Sequence, residues 1–301
     1  MNGTVDRRTH LDLLAVVLLL LCCTLWGLNQ VAAKVALADV PPLTQAALRS
    51  AGAAVLVLIW ARWRGIALFE RDGSLRGGLV AGTLFAAEFA CIFIGLQFTS
   101  ASRMVVFIYV APFVVALGMP LVSRGERLSG MQWVGLAVAF AGVAWAFAEG
   151  FAGTADAPPR QWLGDALGLA AALFWGATTL VIRATRLSSA AAEKTLLYQL
   201  GLSALLLALA APLAGETWPR QWSSLSIASL GFQTVIVTFA SYLTWFWLVR
   251  HYPATRLSAF TLITPVAGLA AGVALLGEPL TLRLVLALVA VVAGLTLVNR
   301  R

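Results

Sequence analysis

Ten apolar runs, each near the roughly 20 residues an α-helix needs to cross a bilayer core, recur along the chain with only short connections between them. They fall at roughly 11–37, 43–62, 77–97, 102–122, 129–148, 163–183, 194–213, 224–249, 256–276 and 281–298. The connections, among them ADVPP, RGERLSG, GETWPRQW, RHYPATR and GEPL, leave no room for a soluble domain. The longest, AEGFAGTADAPPRQW, is small and polar with a Pro pair, the composition of a linker between two halves. Composition agrees: 11% of residues are charged, against roughly 25% in soluble domains. The expected fold is an all-α membrane protein of ten transmembrane helices.

Orientation follows from the basic residues. With a cytoplasmic N-terminus, 15 of the 21 Lys and Arg lie on the inner side; Lys34, Arg49, Arg103, Arg160, Arg220 and Arg283 lie on the outer side or just inside a span. Both termini are expected in the cytoplasm. Anionic inner-leaflet lipid accounts for the net charge of +8 without nucleic acid. The apolar run after RRTH outlasts a signal-peptide core and no A-x-A site follows, so it reads as a retained first helix. Cys22, Cys23 and Cys91 fall inside spans, which argues for buried apolar packing rather than disulfides.

The chain repeats itself. LWGLNQVAAKVA at 25–36 and FWGATTLVIRAT at 174–185 share Trp-Gly and a base eight positions after the Trp, so Trp26 matches Trp175, Gly27 matches Gly176 and Lys34 matches Arg183 at an offset of 149. ASRMVVFIYVAP at 101–112 matches ATRLSAFTLITP at 254–265, pairing Arg103 with Arg256 and Pro112 with Pro265 at an offset of 153. RGERL at 124–128 falls over LGEPL at 276–280, pairing Glu126 with Glu278. Residues 1–148 and 163–301 then form two five-helix units joined by a periplasmic linker at 149–162. Five is odd, so the second unit enters the membrane from the opposite side and the repeats are inverted, an architecture of many secondary transporters with the substrate site between the halves.

The Trp-Gly helix opening each half, A-S/T-R before the fourth and ninth spans, the mid-span Pro, and G-E-R/P-L before the fifth and tenth resemble the drug/metabolite transporter superfamily in its ten-helix form with two EamA-type repeats. The resemblance covers roughly 11–299. It implies a multi-pass protein of the bacterial inner membrane moving small solutes by alternating access. The aromatic residues in the spans make it most similar to the branch exporting aromatic and other hydrophobic amino acids.

Candidate site residues are polar or aromatic groups inside spans. Glu88, near the middle of the third span, carries a charge that insertion scales penalise by about 2.5–3.5 kcal/mol; it either lines a cavity, contacting an amine or cation or carrying protons, or makes a structural hydrogen bond. Arg49, near the outer end of its helix, is expected to snorkel to the interface rather than to pair with Glu88. Ser241, the position matching Glu88, shares a helical face with Trp245 and Thr238. Trp26 with Asn29, and Trp175 with Thr178 and Thr179, form the corresponding sets on the first and sixth helices, while loop residues Trp218 and Trp222 read as interfacial anchors. Pro112 and Pro265 provide a hinge or a fixed kink. Tyr109, Tyr198 and Gln199 are further candidates for the lining. The small residues of AGLAAGVALLG at 267–277 read as close packing.

The sequence has no G-x-x-x-x-G-K-S/T phosphate loop. Its two histidines, His10 and His251, lack metal or catalytic spacing. No cofactor, metal or nucleic-acid partner is expected, only the bilayer and a small-molecule substrate. The expected function is export of aromatic and other hydrophobic amino acids. Efflux of lipophilic cations, for which Glu88 would be the countercharge, is the second transport reading; an embedded enzyme or scaffold is the remaining class.

Overall fold

The computed structural model describes residues 12–122, 129–149, 151, 160–252, 257 and 260–299, and among these every regular element is helical. The elements are α1 (Leu13–Ala36), α2 (Pro42–Trp63), α3 (Leu75–Gly95), α4 (Ala101–Ile108), α5 (Ala111–Val122), α6 (Gly130–Glu149), α7 (Gln161–Ala184), α8 (Ala192–Leu213), α9 (Ser224–Gly231), a π-helical segment (Phe232–Ser241) running into α10 (Tyr242–His251), α11 (Ile263–Leu276) and α12 (Leu282–Asn299). Eight helical stretches are long and apolar enough to cross a membrane, and Ile263–Leu276 and Leu282–Val298 are shorter apolar helices. Large apolar side chains such as Leu13, Ile59, Leu121, Leu173, Leu209 and Val289 point out of the bundle, a surface that only lipid solvates well. The sequence-matched Glu126 and Arg256, and most of the linker, lie outside the described residues.

Local chemistry sets the helix ends and breaks. Asp12, Ser100 and Ser223 cap α1, α4 and α9 by accepting from the backbone N–H of Ala15, Arg103 and Ser226, and Pro42 takes the first position of α2, where its missing N–H is harmless. The fourth span breaks at Tyr109 and Val110 because Pro112 has no N–H for the Ile108 carbonyl and its ring crowds it. Thr261 and Leu262 turn in the same way four and three residues before Pro265. Both prolines therefore stand just past a helix interruption. In the eighth span the π-helical segment, with its wider i→i+5 turn, replaces the α-helical spacing by which Thr238 was grouped with Ser241; both side chains are nevertheless buried.

Packing across the two halves is reciprocal. α1 lies against α11 and against α9 and its π continuation, while α7 lies against α4, α5 and α3; α2 meets α8, and α6 meets α12. The Trp-Gly glycines sit at two close approaches between these helices. A β-carbon on Gly27 would stand 2.6 Å from the backbone nitrogen of Gly268 and 3.0 Å from the carbonyl carbon of Ala267; one on Gly176 would stand 2.6 Å from Cγ1 and 2.7 Å from Cβ of Val114. Ala267 and Val114 are 153 positions apart, the offset that relates the two broken spans. Glycine in the motif is thus the residue that lets the first helix of each half reach the kinked span of the other.

Polar latches close both ends of the bundle. At the end carrying the α1–α2 connection, the buried Arg103 guanidinium bonds Asp165 on α7 and Glu149 on α6, each at 2.6 Å, and Thr281, at the start of α12, bonds Glu149. Carboxylates of the later half cap helices of the earlier one: Glu216 accepts from the Leu43 and Thr44 N–H groups at 2.8 Å, and Glu278 accepts from those of Ala101 and Ser102 at 2.7 and 2.8 Å. Lys34, whose match to Arg183 marked the repeat, donates to the Leu96 and Thr99 carbonyls at 2.5 and 2.6 Å. At the end carrying the α2–α3 connection, Lys194 of α8 pairs with Asp72 at 2.8 Å and donates to the Glu70 carbonyl. Hydrogen bonds from Lys194 and then from Ser74 hold the Asp72 carboxyl well below the usual carboxylate range.

Candidate functional site

Midway between those ends, aromatic side chains from four spans converge. The Trp26 indole donates through Nε1 to Ser241 Oγ at 2.9 Å, and its ring meets Trp245 edge-on at 5.4 Å and Tyr242 at 6.4 Å. Ser241 passes its own hydroxyl proton to the Val237 carbonyl, so its oxygen is fixed as the acceptor for Trp26. Tyr109, in the break of the fourth span, meets Trp175 edge-on at 5.7 Å, and its hydroxyl is within electrostatic range of Cys23 and Tyr242. Five of the residues singled out in the sequence thus belong to one region: Trp26, Tyr109, Trp175, Ser241 and Trp245.

Tyr242 links this aromatic region to two buried charges, since it interacts electrostatically with both Arg49 and Glu88. Arg49 corrects an expectation. It does not snorkel: its side chain is 0% exposed, and its guanidinium carbon stands 3.8 Å over the Phe89 ring and 5.6 Å from that of Phe93. Phe89 and Phe93, one turn apart on α3, give the cation a π surface that returns about 2 kcal/mol when desolvated. None of its three nitrogens has a hydrogen-bond partner. Glu88, one residue before Phe89 and also buried, feels the Arg49 charge without a hydrogen bond between them. A buried charge without a hydrogen-bonded partner costs several kcal/mol, more than a π face returns.

The neighbouring polar atoms are in a similar state. Gln45 stands one turn before Arg49 and donates to the Ala33 carbonyl, but its Oε1 has no partner; the same holds for Asn29 Oδ1 and Gln30 Oε1 on α1 and for both amide atoms of Gln233. Native interiors pair nearly all such atoms. These unpartnered atoms lie on α1, on α2 and on the π-helical segment against which both helices pack. Arg49, Tyr242, Gln45 and Gln233 were not foreseen as site residues; the signal available was the i, i+4 spacing of Gln45 and Arg49 within an otherwise apolar span.

Other candidates fall elsewhere. Tyr198 is not with the rest: its ring packs on Gly78 and its hydroxyl accepts from Ser74 at 3.5 Å. Gly78 precedes Glu88 by ten residues on α3, about 15 Å of helix rise. Gln199 is buried beside it in the sequence, on α8. Thr178 and Thr179 donate to the Phe174 and Trp175 carbonyls four residues back, which occupies their hydroxyl protons. A hollow of about 530 Å³ opens at the α1–α2 end, lined by Leu37, Asp39, Pro42, Gln97 and Glu216 among others, and one of about 300 Å³ lies between α2 and α8. Neither is lined by Trp26, Arg49 or Glu88; Arg49 and Glu88 are both buried.

An apolar-surfaced bundle of helices long enough to cross a bilayer, with buried polar groups at its centre, is the build of a multi-pass membrane protein. The model of the EamA-like transporter family matches the chain twice, over residues 13–148 and 162–300, and the chain belongs to this family. It is similar to an uncharacterized transporter of Bacillus subtilis, YvbV, with 29% identity over 92% of this chain and 88% of that one. It is similar also to proteins named probable amino-acid metabolite efflux pump, from Escherichia coli at 29% identity over 93% of this chain and 92% of that one, and from Salmonella typhimurium at 30% over 92% of each. A solved structure shares the fold with a TM-score of 0.65 at 20% identity, covering 94% of this chain and 95% of that chain.

Proposed function

We propose that the protein is a secondary transporter of the bacterial inner membrane that exports aromatic and other hydrophobic amino acids by alternating access. The observation that carries this reading is the convergence of Trp26, Trp175, Trp245 and Tyr109 beside an enclosed charged pair: flat apolar walls for a side chain next to polar groups for a backbone. The names of the two efflux-pump relatives favour the same substrate class. Two inverted five-helix repeats, 1–148 and 163–301, with both termini cytoplasmic, are part of the proposal. The double family match and the reciprocal packing of α1 on α11 and α7 on α5 support it. Helix interruptions before Pro112 and Pro265 are where the spans would flex as access changes sides.

The test is flux. Cells expressing the chain should retain less preloaded Phe and Trp, and purified protein in liposomes should move them down an imposed gradient. Lipophilic-cation efflux is the second reading, favoured by the burial of Glu88; Arg49 beside it opposes that reading by cancelling the countercharge. Movement of an organic cation but not of Phe or Trp would reverse the order, and movement of neither would end both.

A further inference from the structure

Among the described residues, Arg49 has the most unpartnered buried polar atoms on one side chain. It is wholly enclosed, and no nitrogen of its guanidinium has a hydrogen-bond partner. The Phe89 face at 3.8 Å balances part of its charge but supplies no lone pair for its N–H groups. An anion with two coplanar acceptors fits such a fork better than any other group, because two parallel N–H···O bonds form at once. Glu88 is not that anion, although its charge reaches Arg49.

Two groups able to carry opposite charges, both buried and close enough to interact but not hydrogen-bonded to each other, set a condition on whatever enters between them. A free amine would satisfy Glu88 and leave Arg49 wanting; a simple carboxylate would do the reverse. A zwitterion satisfies both and adds no net charge to the enclosed site. Tyr242, in electrostatic contact with both charges and edge-on to Trp26, joins the charged end of such a ligand to the aromatic walls.

We propose that Arg49 is the carboxylate anchor of the transport site and that Glu88 receives the ammonium group, so that the site selects α-amino acids as zwitterions. This rests on the amino-acid reading above and adds the residues that recognise the shared backbone.

The experiment measures binding of L-phenylalanine, phenethylamine and 3-phenylpropionate to the purified full-length protein in detergent. The expected result is at least a tenfold preference for phenylalanine over each analogue. Arg49→Gln should remove the preference over phenethylamine by weakening phenylalanine tenfold or more while leaving the amine unchanged, and Glu88→Gln should do the corresponding thing for 3-phenylpropionate. Arg49→Lys, which keeps the charge without the fork, should fall between. Should the variants not fold, the wild-type panel decides alone. Equal binding of phenylalanine and phenethylamine by the wild type would overturn the anchor while leaving the amino-acid reading standing. Binding of none of the three would overturn both.

Discussion

Replacing Gly27 with alanine adds one methyl group where the structure allows none. The new β-carbon would stand 2.6 Å from a backbone nitrogen and 3.0 Å from two further backbone atoms of α11, against ordinary contact distances of about 3.5–4.0 Å. Backbone neighbours cannot rotate away, so α1 and α11 would have to separate by roughly an ångström along a packed face. Overpacking of this kind costs about 1–3 kcal/mol, partly offset by the roughly 0.5–1 kcal/mol that alanine contributes over glycine in a helix. The net expectation is a loss of up to about 2 kcal/mol. Gly201 provides the control, because a β-carbon there meets nothing within 4 Å; Gly201→Ala should show the propensity gain alone. Unfolding of both variants by denaturing detergent, followed by tryptophan fluorescence, measures the difference. If Gly27→Ala is as stable as Gly201→Ala, the close approach of α1 to α11 and the reason offered for the Trp-Gly motif are both wrong.

Arg103→Met leaves Asp165, 0% exposed, without its guanidinium, so it should destabilise by about 3–5 kcal/mol, with the Arg103→Met/Asp165→Leu double variant recovering much of the loss; additive losses in thermal unfolding would refute the coupling. Asp72 titrates below its unfolded-state value, so the stability it contributes is full above about pH 4 and is lost as pH falls through its folded value. The stability gap between wild type and Asp72→Asn should accordingly be flat from pH 5 to 7 and narrow below pH 4, and a gap that grows on acidification would reverse the sign. A reporter fused after Arg301 should be active in the cytoplasm and one placed within 149–162 in the periplasm; both on one side would exclude inverted repeats. Trp175→Ala should weaken Phe and Trp export more than Thr export, since edge-on aromatic pairs contribute about 0.5–1.5 kcal/mol beyond burial. An unchanged Phe-to-Thr preference at normal protein levels would remove Trp175 from the site.

The helical bundle was legible because its signal is local. Each helix writes its own apolar length, and a proline writes its own break, so Pro112 and Pro265 mark the interruptions before α5 and α11. The site was legible only in part because its geometry is set by neighbours. Arg49 lies seven residues into α2, within reach of an interface for a long side chain; its guanidinium lies instead against the Phe89 and Phe93 rings of α3, which no pattern within α2 announces. Thr178 and Thr179 look available in a sequence, yet each hydroxyl finds its own helix first. Tyr198 is inward-facing but at the wrong depth: helical periodicity gives azimuth, whereas depth depends on where α8 meets α3. The π-helical segment left no trace in apolar spacing, although it carries Ser241 to the Trp26 indole.

Matching positions in the proposed repeats separate the scaffold from the chemistry. Thr44 and Lys194 are 150 positions apart, and each sits in the first turn of its helix: Thr44 takes Glu216 from the connection after α8, and Lys194 takes Asp72 from the connection after α2. The same offset relates Arg49 to Gln199, and there the likeness ends, because only the first half carries the guanidinium and its Phe89 support. Two related halves can exchange conformations and so open the centre alternately to either side. A charge that appeared in both halves would have to be neutralised twice in the low-dielectric interior. On the proposed reading, a single Arg49 and a single Glu88 would ask for one carboxylate and one ammonium in either conformation, so the ligand would not have to reorient when access changes sides.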